Sequence, residues 1–146
     1  MITQASAIDS MLLFAAELRA LPVNPIFVEL VGSCAIQGSS PNDADFLVFA
    51  QDFSVGVAGH LLSTGWTEQE GNTDEYGEGE FRSFRLGDYN CLLVWDSKTF
   101  SNWMASVQVC KFVGTKTRDQ RVAIHQIIMD GQLVVNLPSF EQLGEV

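Results

Sequence analysis

Residues 30–49 read LVGSCAIQGSSPNDADFLVF and decide the fold. The stretch predicts the end of a buried strand, a turn of small residues, a polar loop and a second strand. The second strand opens with Asp43 and Asp45, and residues two apart in a strand project from the same face of the sheet. Adjacent carboxylates repel one another unless a cation lies between them, and carboxylate oxygens are ligands that Mg²⁺ prefers. A metal site at Asp43 and Asp45 is therefore expected, with Mn²⁺ as the alternative to Mg²⁺.

A second feature of this stretch is the pair Gly32 and Ser33, ten or so residues upstream of the carboxylates. A glycine lets the backbone approach a ligand closely, and a serine adds a hydroxyl donor. Ahead of a short helix, such a turn is suited to contact phosphate oxygens. The pattern predicts a phosphate-binding turn and a metal site at the ends of adjacent strands.

The flanking sequence predicts alternating helices and strands. Apolar residues at helical spacing indicate a helix over about residues 4–21, which Pro22 ends, and a buried strand follows at Ile26–Val31. Further helices are expected at about 54–64, 97–112 and 118–130, and a hairpin at Phe81–Leu86 and 89–95, with a strand beginning near Trp66. The acidic, glycine-rich segment 68–80 is expected to be a solvated loop, or alternatively a lid or protein-docking surface. The predicted fold is α/β, a mixed twisted sheet of four to five strands with flanking helices, in one domain spanning residues 1–146.

The motif in this stretch resembles the signature of the polymerase-β-type nucleotidyltransferase superfamily, and in particular its minimal forms. In that signature a Gly-Ser turn, a following Ala and Gly, and a strand that begins Asp-x-Asp-hydrophobic occur in this order. The matching residues here are Gly32, Ser33, Ala35, Gly38, Asp43, Asp45 and Phe46. The resemblance covers the first half of the chain by motif and the second half only by pattern. It implies a nucleotidyltransferase-like fold and a Mg²⁺-dependent transfer of a nucleoside monophosphate.

One departure from the family pattern concerns the third carboxylate, which the resemblance places on a neighbouring strand after the crossover helix. The corresponding position here holds Asn90, which can offer a carbonyl oxygen to a metal but cannot act as a general base. Three interpretations remain open. Asp88 has the same strand parity and replaces Asn90; Asp43 and Asp45 bind one metal–nucleotide complex, with slow transfer or none; or Asp96 serves from about 20 Å away along the strand, which is the weakest of the three.

Positive charge is scarce and clustered. The chain has eight Lys and Arg, and Lys111, Lys116, Arg118 and Arg121 fall within eleven residues. Because the resemblance implies a helical cation that pairs with the nucleotide phosphates, Lys116 and Arg121, and then Arg118, are the candidates for a triphosphate clamp. The alternative is a helix surface whose charges pair with Asp119 and the acidic loop. In the hairpin, Arg82 and Arg85 lie on opposite faces, so one of them, with Arg85 the candidate, is expected to reach the cleft.

Composition limits the partners. The formal net charge is −10, and because a nucleic-acid-binding domain normally has a basic face, generic DNA or RNA binding is disfavoured. No apolar run is long enough to span a bilayer. The three cysteines are odd in number and lie in apolar surroundings, which favours buried free thiols and a cytoplasmic location. His60 and His125 are expected to be hydrogen-bonded structural histidines, and the three tryptophans core or partner-facing aromatics.

Two functions follow from these observations. The first is a nucleotidyltransferase that binds a Mg²⁺–nucleoside triphosphate and transfers the nucleoside monophosphate to a hydroxyl of a small molecule or protein. The second is a catalytically silent relative, a degenerate or phage-type member, which binds or inhibits another protein through segment 68–80. An unrelated small α/β domain in which the motif is a coincidence is the third alternative.

Overall fold

A mixed five-stranded sheet with helices on both faces forms the centre of the molecule. The computed structural model describes residues 1–22, 26–51, 54–70 and 81–131. In these ranges the helices are α1 (Gln4–Arg19), α2 (Gly32–Gln37), α3 (Ser54–Ser63), α4 (Ser97–Val113) and α5 (Arg118–Met129). The strands are β1 (Ile2–Thr3), β2 (Ile26–Val31), β3 (Ser39–Ser40), β4 (Ala44–Ala50), β5 (Thr67–Gln69), β6 (Phe81–Leu86) and β7 (Tyr89–Val94).

The main sheet has the strand order β2-β4-β7-β6-β5. The central pair β4 and β7 is parallel, whereas the three other neighbouring pairs are antiparallel. Parallel neighbours need a crossover connection, and the chain makes it through α3 and the strands β5 and β6. The predicted mixed sheet of four to five strands with flanking helices is confirmed.

The alternation of residues along β4 divides the core between two layers. Phe46 and Val48 pack with the apolar faces of α1 and α3 on one side of the sheet. Leu47 and Phe49 pack with Phe100 and its neighbours in α4 on the other side. Because both faces of the central strand are covered, β4 is almost continuously apolar. Asp45, on the same face as Leu47 and Phe49, is the exception and marks the end of the strand where the core gives way to a cavity.

Helices α4 and α5 form an antiparallel hairpin on the second face of the sheet. Gly114 ends α4 in the left-handed conformation (φ +76°), which a residue with a side chain adopts only with strain. Thr117 and Gln120 then form a capping box at the start of α5. The four-residue connection therefore turns α5 back along α4, and it brings the basic first turn of α5 towards the edge of the sheet at which Asp43 and Asp45 lie.

Several details differ from the sequence predictions. Helix α1 ends at Arg19, two residues before the expected end, and Trp95 lies beyond β7. Strand β2 is not buried on both faces throughout, since Glu29 is exposed. The strand expected to begin near Trp66 is found at Thr67–Gln69 and so extends two residues into the segment expected to be the acidic loop, of which residues 71–80 lie outside the described ranges. None of the helices in those ranges is both long and apolar enough to cross a bilayer.

Candidate functional site

A row of polar side chains crosses the sheet where β4 begins. Asp45 lies directly opposite Val31 of β2 on one side and Asn90 of β7 on the other. Asn90 in turn lies opposite Arg85 of β6. Asp43 immediately precedes β4, two residues before Asp45, and is half-buried. The register thus joins a carboxylate, an amide and a guanidinium on three neighbouring strands, with a second carboxylate at the end of the row.

The amide of Asn90 holds the two carboxylates together. Its Nδ2 donates hydrogen bonds of 2.9 Å to Asp43 Oδ2 and of 2.9 Å to Asp45 Oδ1. Arg85 Nη1 donates to Asn90 Oδ1 at 3.3 Å and lies 3.6 Å from Asp43 Oδ2. These hydrogen bonds agree on one orientation of the amide, because both carboxylates need donors and the guanidinium needs an acceptor. The carboxylates are therefore stabilised by an amide and a guanidinium in the arrangement that the structure shows.

Burial raises the pKa of Asp45 from 3.8 to about 6. The Asn90 hydrogen bond opposes this shift, the charge of Asp43 adds to it, and the charges of Arg121 and Arg85 lower the pKa. A carboxylate with a raised pKa is one whose ionised form lacks solvation. A cation bound beside it restores that solvation, so the site is prepared for additional positive charge.

At Gly32 the backbone comes close to the Asp45 carboxylate. Gly32 has a left-handed backbone (φ +69°), and a Cβ atom built on it would collide with the Asp45 carboxylate. Only glycine satisfies both conditions. The first residue of the Gly-Ser turn is therefore required by the position of Asp45, and the next residue, Ser33, lines the cavity.

This row opens into a cavity of about 580 Å³, a size typical of small-molecule sites. One wall is the sheet, from β4 to β5, and the other is made by α2, α4 and α5. The helices contribute residues at helical spacing, which therefore share one face of each helix. These residues are Trp103, Ser106, Val107 and Cys110 from α4, and Arg118, Arg121, Val122 and His125 from α5.

The charge of the cavity differs from that of the whole chain. Of the eight basic residues of the sequence, four line it: Arg85, Lys116, Arg118 and Arg121. Of the eighteen acidic residues, the described lining includes three: Asp43, Asp45 and Glu70. A chain with a formal net charge of −10 thus concentrates half of its cations in one place, opposite two carboxylates. Such a cavity is suited to a ligand that brings both phosphate groups and a metal ion.

The structure brings together most of the residues singled out from the sequence. Those that line the cavity are Gly32, Ser33, Asp43, Asp45, Arg85, Asn90, Lys116, Arg118 and Arg121. Asp88 is not among them. It is exposed in the turn between β6 and β7, and its backbone carbonyl accepts from the Ala44 N–H. Asp88 lies in the turn before β7 begins, so sharing the strand parity of Asn90 does not place it in the cavity lining. The hypothesis that Asp88 replaces Asn90 therefore finds no support in this geometry.

Four other residues considered from the sequence have structural partners. Asp96 caps α4 by accepting from the Thr99 N–H at 3.1 Å. Arg82, on the opposite face from Arg85, makes a bidentate pair with Glu68 at 2.7 Å. His60 lies 2.8 Å from Glu17, and His125 Nδ1 lies 3.1 Å from Ser106 Oγ, as expected for hydrogen-bonded histidines.

Sequence reasoning missed the residues that continue the cavity beyond the charged row, chiefly Gln69, Ser83, Trp103 and Ser106. His125 is hydrogen-bonded as expected, but it also lines the cavity, because it lies four residues after Arg121 and therefore on the same face of α5. That spacing was the available signal. The strand residues gave none, since Ser83 and Gln69 are identified only by the register of β5 with β6.

The donor set fits one hard cation but not a metal cage made by the protein alone. In the described part of the chain, no three His, Cys, Asp or Glu side chains come together as a metal-binding group. Asp43 and Asp45 supply carboxylate oxygens, and the raised pKa of Asp45 indicates that more positive charge can be accommodated. Mg²⁺ is usually bound by one or two carboxylates together with water and substrate phosphates. Asp43 and Asp45 therefore suit a Mg²⁺ ion that arrives with a polyphosphate.

Comparison with known proteins agrees with the fold. No protein-family model matches the sequence, and no curated protein matches it significantly. Among solved structures, the chain is similar to the conserved protein GrpB from Enterococcus faecalis, with a TM-score of 0.52 and 13% sequence identity. The alignment covers 90% of this chain and 98% of GrpB. The chain therefore shares the overall fold of GrpB, a mixed sheet with flanking helices. At this identity the likeness concerns the fold alone, and the chemistry has to be argued from the cavity.

Proposed function

We propose that the cavity binds a Mg²⁺–nucleoside triphosphate and that the protein transfers the nucleoside monophosphate to a hydroxyl of a small molecule or protein. One observation supports this most strongly. Asp43 and Asp45 lie side by side at one end of a cavity whose lining includes Arg85, Lys116, Arg118 and Arg121. Paired carboxylates and clustered cations are the two requirements of a site for a metal-bound polyphosphate.

Each of these residues has a distinct role in the proposed complex. Asp43 and Asp45 would hold Mg²⁺, and the Ser33 hydroxyl would donate to a phosphate oxygen. Lys116 and Arg121 would pair with the terminal phosphates as point and forked donors respectively, with Arg118 beside them. Arg85 already lies next to Asp43, so it is placed to pair with the phosphate nearest the carboxylates. These cations would neutralise the phosphates and so reduce the repulsion between an anionic ligand and a strongly acidic protein.

Transfer of a nucleoside monophosphate needs a hydroxyl in line with the leaving pyrophosphate and stabilisation of the charge that develops on the phosphate. Bound Mg²⁺ would supply Lewis acidity towards the phosphate oxygens. The protein supplies orientation through Ser33 and Arg85 and charge through α5. Asn90 cannot accept the proton of the acceptor hydroxyl, so that proton would pass to Asp43, Asp45 or solvent. Slow turnover is the expected consequence.

The test combines binding with transfer. Calorimetric titration with each nucleoside triphosphate in the presence of Mg²⁺ would give a dissociation constant for the preferred nucleotide. The double variant Asp43→Ala/Asp45→Ala is expected to lose Mg²⁺-dependent binding while its circular dichroism spectrum is unchanged. Asp88→Ala is the matched control, because it removes a neighbouring carboxylate that does not line the cavity. Unchanged affinity in the double variant would refute the assignment of the site.

A second function, that of a catalytically silent binding module, is favoured by the hydrogen bonds of Asn90. Its amide donates to both carboxylates at 2.9 Å, so the pair is satisfied without a third carboxylate or a general base. Such a protein would act on a partner protein, with the acidic segment 68–80 as the proposed surface. Transfer of label from an α-labelled triphosphate to any acceptor would exclude this function. Since Cys34, Cys91 and Cys110 are buried free thiols, a reducing cytoplasmic location is proposed for either function.

A further inference from the structure

The cavity continues well past the charged row, along the strands of the sheet. Two residues from Arg85 along β6 lies Ser83, which is opposite Leu92 of β7 and Gln69 of β5. Two residues further lies Phe81, opposite Val94. All of these except Val94 line the same cavity as Asp45 and Asn90. From Arg85 to Phe81 the strand covers about 13 Å, at about 3.3 Å per residue, so the cavity extends far beyond the phosphate cluster.

The surface changes in character along this length. Next to the charged row, Ser83 and Gln69 present a hydroxyl and an amide, and among the described residues neither side chain has a hydrogen-bond partner. Beyond them the lining is aromatic and aliphatic, with Phe81, Leu92 and Trp103. An inorganic polyphosphate has no group that suits an aromatic wall. A ligand with phosphates at one end and a planar, hydrogen-bonding ring at the other matches the charged, the polar and the aromatic part of the lining in turn.

The aromatic wall is held in a fixed orientation. The Trp103 ring meets Phe81 edge-on at 5.4 Å between centroids and meets His125 edge-on at 4.7 Å. His125 is itself fixed by its contact with Ser106. The indole is held by two edge-on contacts, and the hydrogen bond to Ser106 fixes the histidine that makes one of them. This wall is therefore formed before any ligand binds.

The remaining charged residue towards this end is Glu70, directly after β5. A carboxylate accepts hydrogen bonds and repels phosphate. The ligand therefore has one orientation, with its phosphates at α5 and its uncharged end towards β5 and β6.

We propose that the part of the cavity beyond Arg85, towards β5 and the start of β6, is the recognition site for the heterocyclic base of the nucleotide, read by the Ser83 hydroxyl and the Gln69 amide against the wall formed by Phe81 and Trp103. This inference rests on the proposed function and adds to it the residues that determine specificity. It assigns the phosphates and the base to different elements of the fold. The two ends can therefore be tested separately.

The experiment compares a nucleoside triphosphate with inorganic tripolyphosphate, each with Mg²⁺, in calorimetric titrations. The wild-type protein should bind its preferred nucleoside triphosphate at least tenfold more tightly than tripolyphosphate. Ser83→Ala/Gln69→Leu should weaken nucleotide binding about tenfold, that is by about 1.4 kcal/mol, and leave tripolyphosphate binding unchanged. Arg121→Gln is the matched control at the phosphate end and should weaken both ligands. Circular dichroism confirms that each variant is folded.

Tryptophan fluorescence provides an independent measurement. Nucleotide binding should change the emission of the wild-type protein, tripolyphosphate should not, and Trp103→Phe should abolish the change although Trp66 and Trp95 remain. Equal affinity of the wild type for both ligands, or equal weakening of both by the double variant, would overturn the base site while leaving phosphate binding intact. Failure of both ligands to bind the wild type would overturn the proposed function and the base site together.

Discussion

Replacement of Asn90 by Asp is the substitution whose outcome the geometry specifies most closely. Asn90 donates two hydrogen bonds of 2.9 Å to carboxylates, and Asp at this position would donate neither when ionised. A hydrogen bond to a charged group contributes about 1.5–3 kcal/mol, and the partial exposure of the Asp43 carboxylate favours the lower end. Loss of both bonds, with a third negative charge added, predicts that Asn90→Asp lowers the free energy of unfolding by about 3 kcal/mol in the absence of metal.

For a chain of this size that loss corresponds to a melting temperature lower by roughly 6–12 °C. Millimolar Mg²⁺ or Mn²⁺ should restore most of it, because three carboxylates then bind the cation. The assay is thermal unfolding followed by circular dichroism, at matched ionic strength, with and without the metal. Asn90→Ala is the control, since it loses the same two hydrogen bonds but adds no third carboxylate, and its melting temperature should rise less with the metal than that of Asn90→Asp.

Two results would refute this reasoning. An Asn90→Asp variant that melts at the wild-type temperature without metal would show that the amide does not stabilise the carboxylate pair. A variant that is destabilised as predicted, but does not respond to either metal, would show that Asp43, Asp45 and residue 90 do not form a cation site even with three carboxylates.

Three further predictions concern the neighbouring residues. Because the pKa of Asp45 is raised to about 6 in the folded state, its contribution to stability is complete below pH ~4 and is lost as the pH rises through 6. The wild type should therefore lose stability over this range relative to Asp45→Asn. Melting curves of the two proteins as a function of pH test this, and parallel curves would contradict it. In urea unfolding, Gly32→Ala should lower the free energy of unfolding by about 1–3 kcal/mol more than Gly38→Ala does. Both glycines have positive φ, but only at Gly32 would the added Cβ meet the Asp45 carboxylate. Equal losses in the two variants would count against the close approach. Arg82→Ala, which removes an exposed ion pair, should change the free energy of unfolding by less than about 1 kcal/mol in the same assay, and a larger loss would mean that this arginine does more than pair at the surface.

Much of the fold followed from the hydrophobic pattern. The helices α1, α3, α4 and α5 and the strands of the main sheet have periodicities long enough to identify, and their ends differ from expectation by a few residues. The two-residue strands β1 and β3 pair with each other in a separate small sheet. Two residues are too short a segment for any periodicity, so this pairing could not be predicted.

The central residues of the site were also predictable. The resemblance to the nucleotidyltransferase signature implied that Asn90 takes the position of the third carboxylate, and the register places Asn90 beside Asp45. Strand parity predicted that Arg82 and Arg85 face opposite sides, but it could not tell which of them faces the cavity. That depended on the register of β6 against β7, which pairs Arg85 with Asn90.

The helical wall of the cavity, opposite the sheet, could not be predicted from the order of the elements along the chain. The cations of α5 line the same cavity as the carboxylates because a four-residue connection folds α5 back along α4, and the direction of that hairpin depends on the packing of α4 on the sheet. The position of Asp88 outside the cavity lining has a related explanation. Strand parity predicts the face of a residue only within a strand. Asp88 lies with Gly87 in the hairpin turn before β7 begins, so its parity with Asn90 does not predict where it lies.

The most direct test of the central claim is a thermal-shift titration with the four nucleoside triphosphates, each with and without Mg²⁺. A ligand that binds only the folded state stabilises it by about 2.7 kcal/mol at a concentration 100 times its dissociation constant, which corresponds to a shift of roughly 5–10 °C here. We expect a Mg²⁺-dependent rise in melting temperature for at least one nucleotide, and no rise for the Asp43→Ala/Asp45→Ala variant. The absence of any shift at millimolar nucleotide would contradict the assignment of this cavity as a nucleotide site.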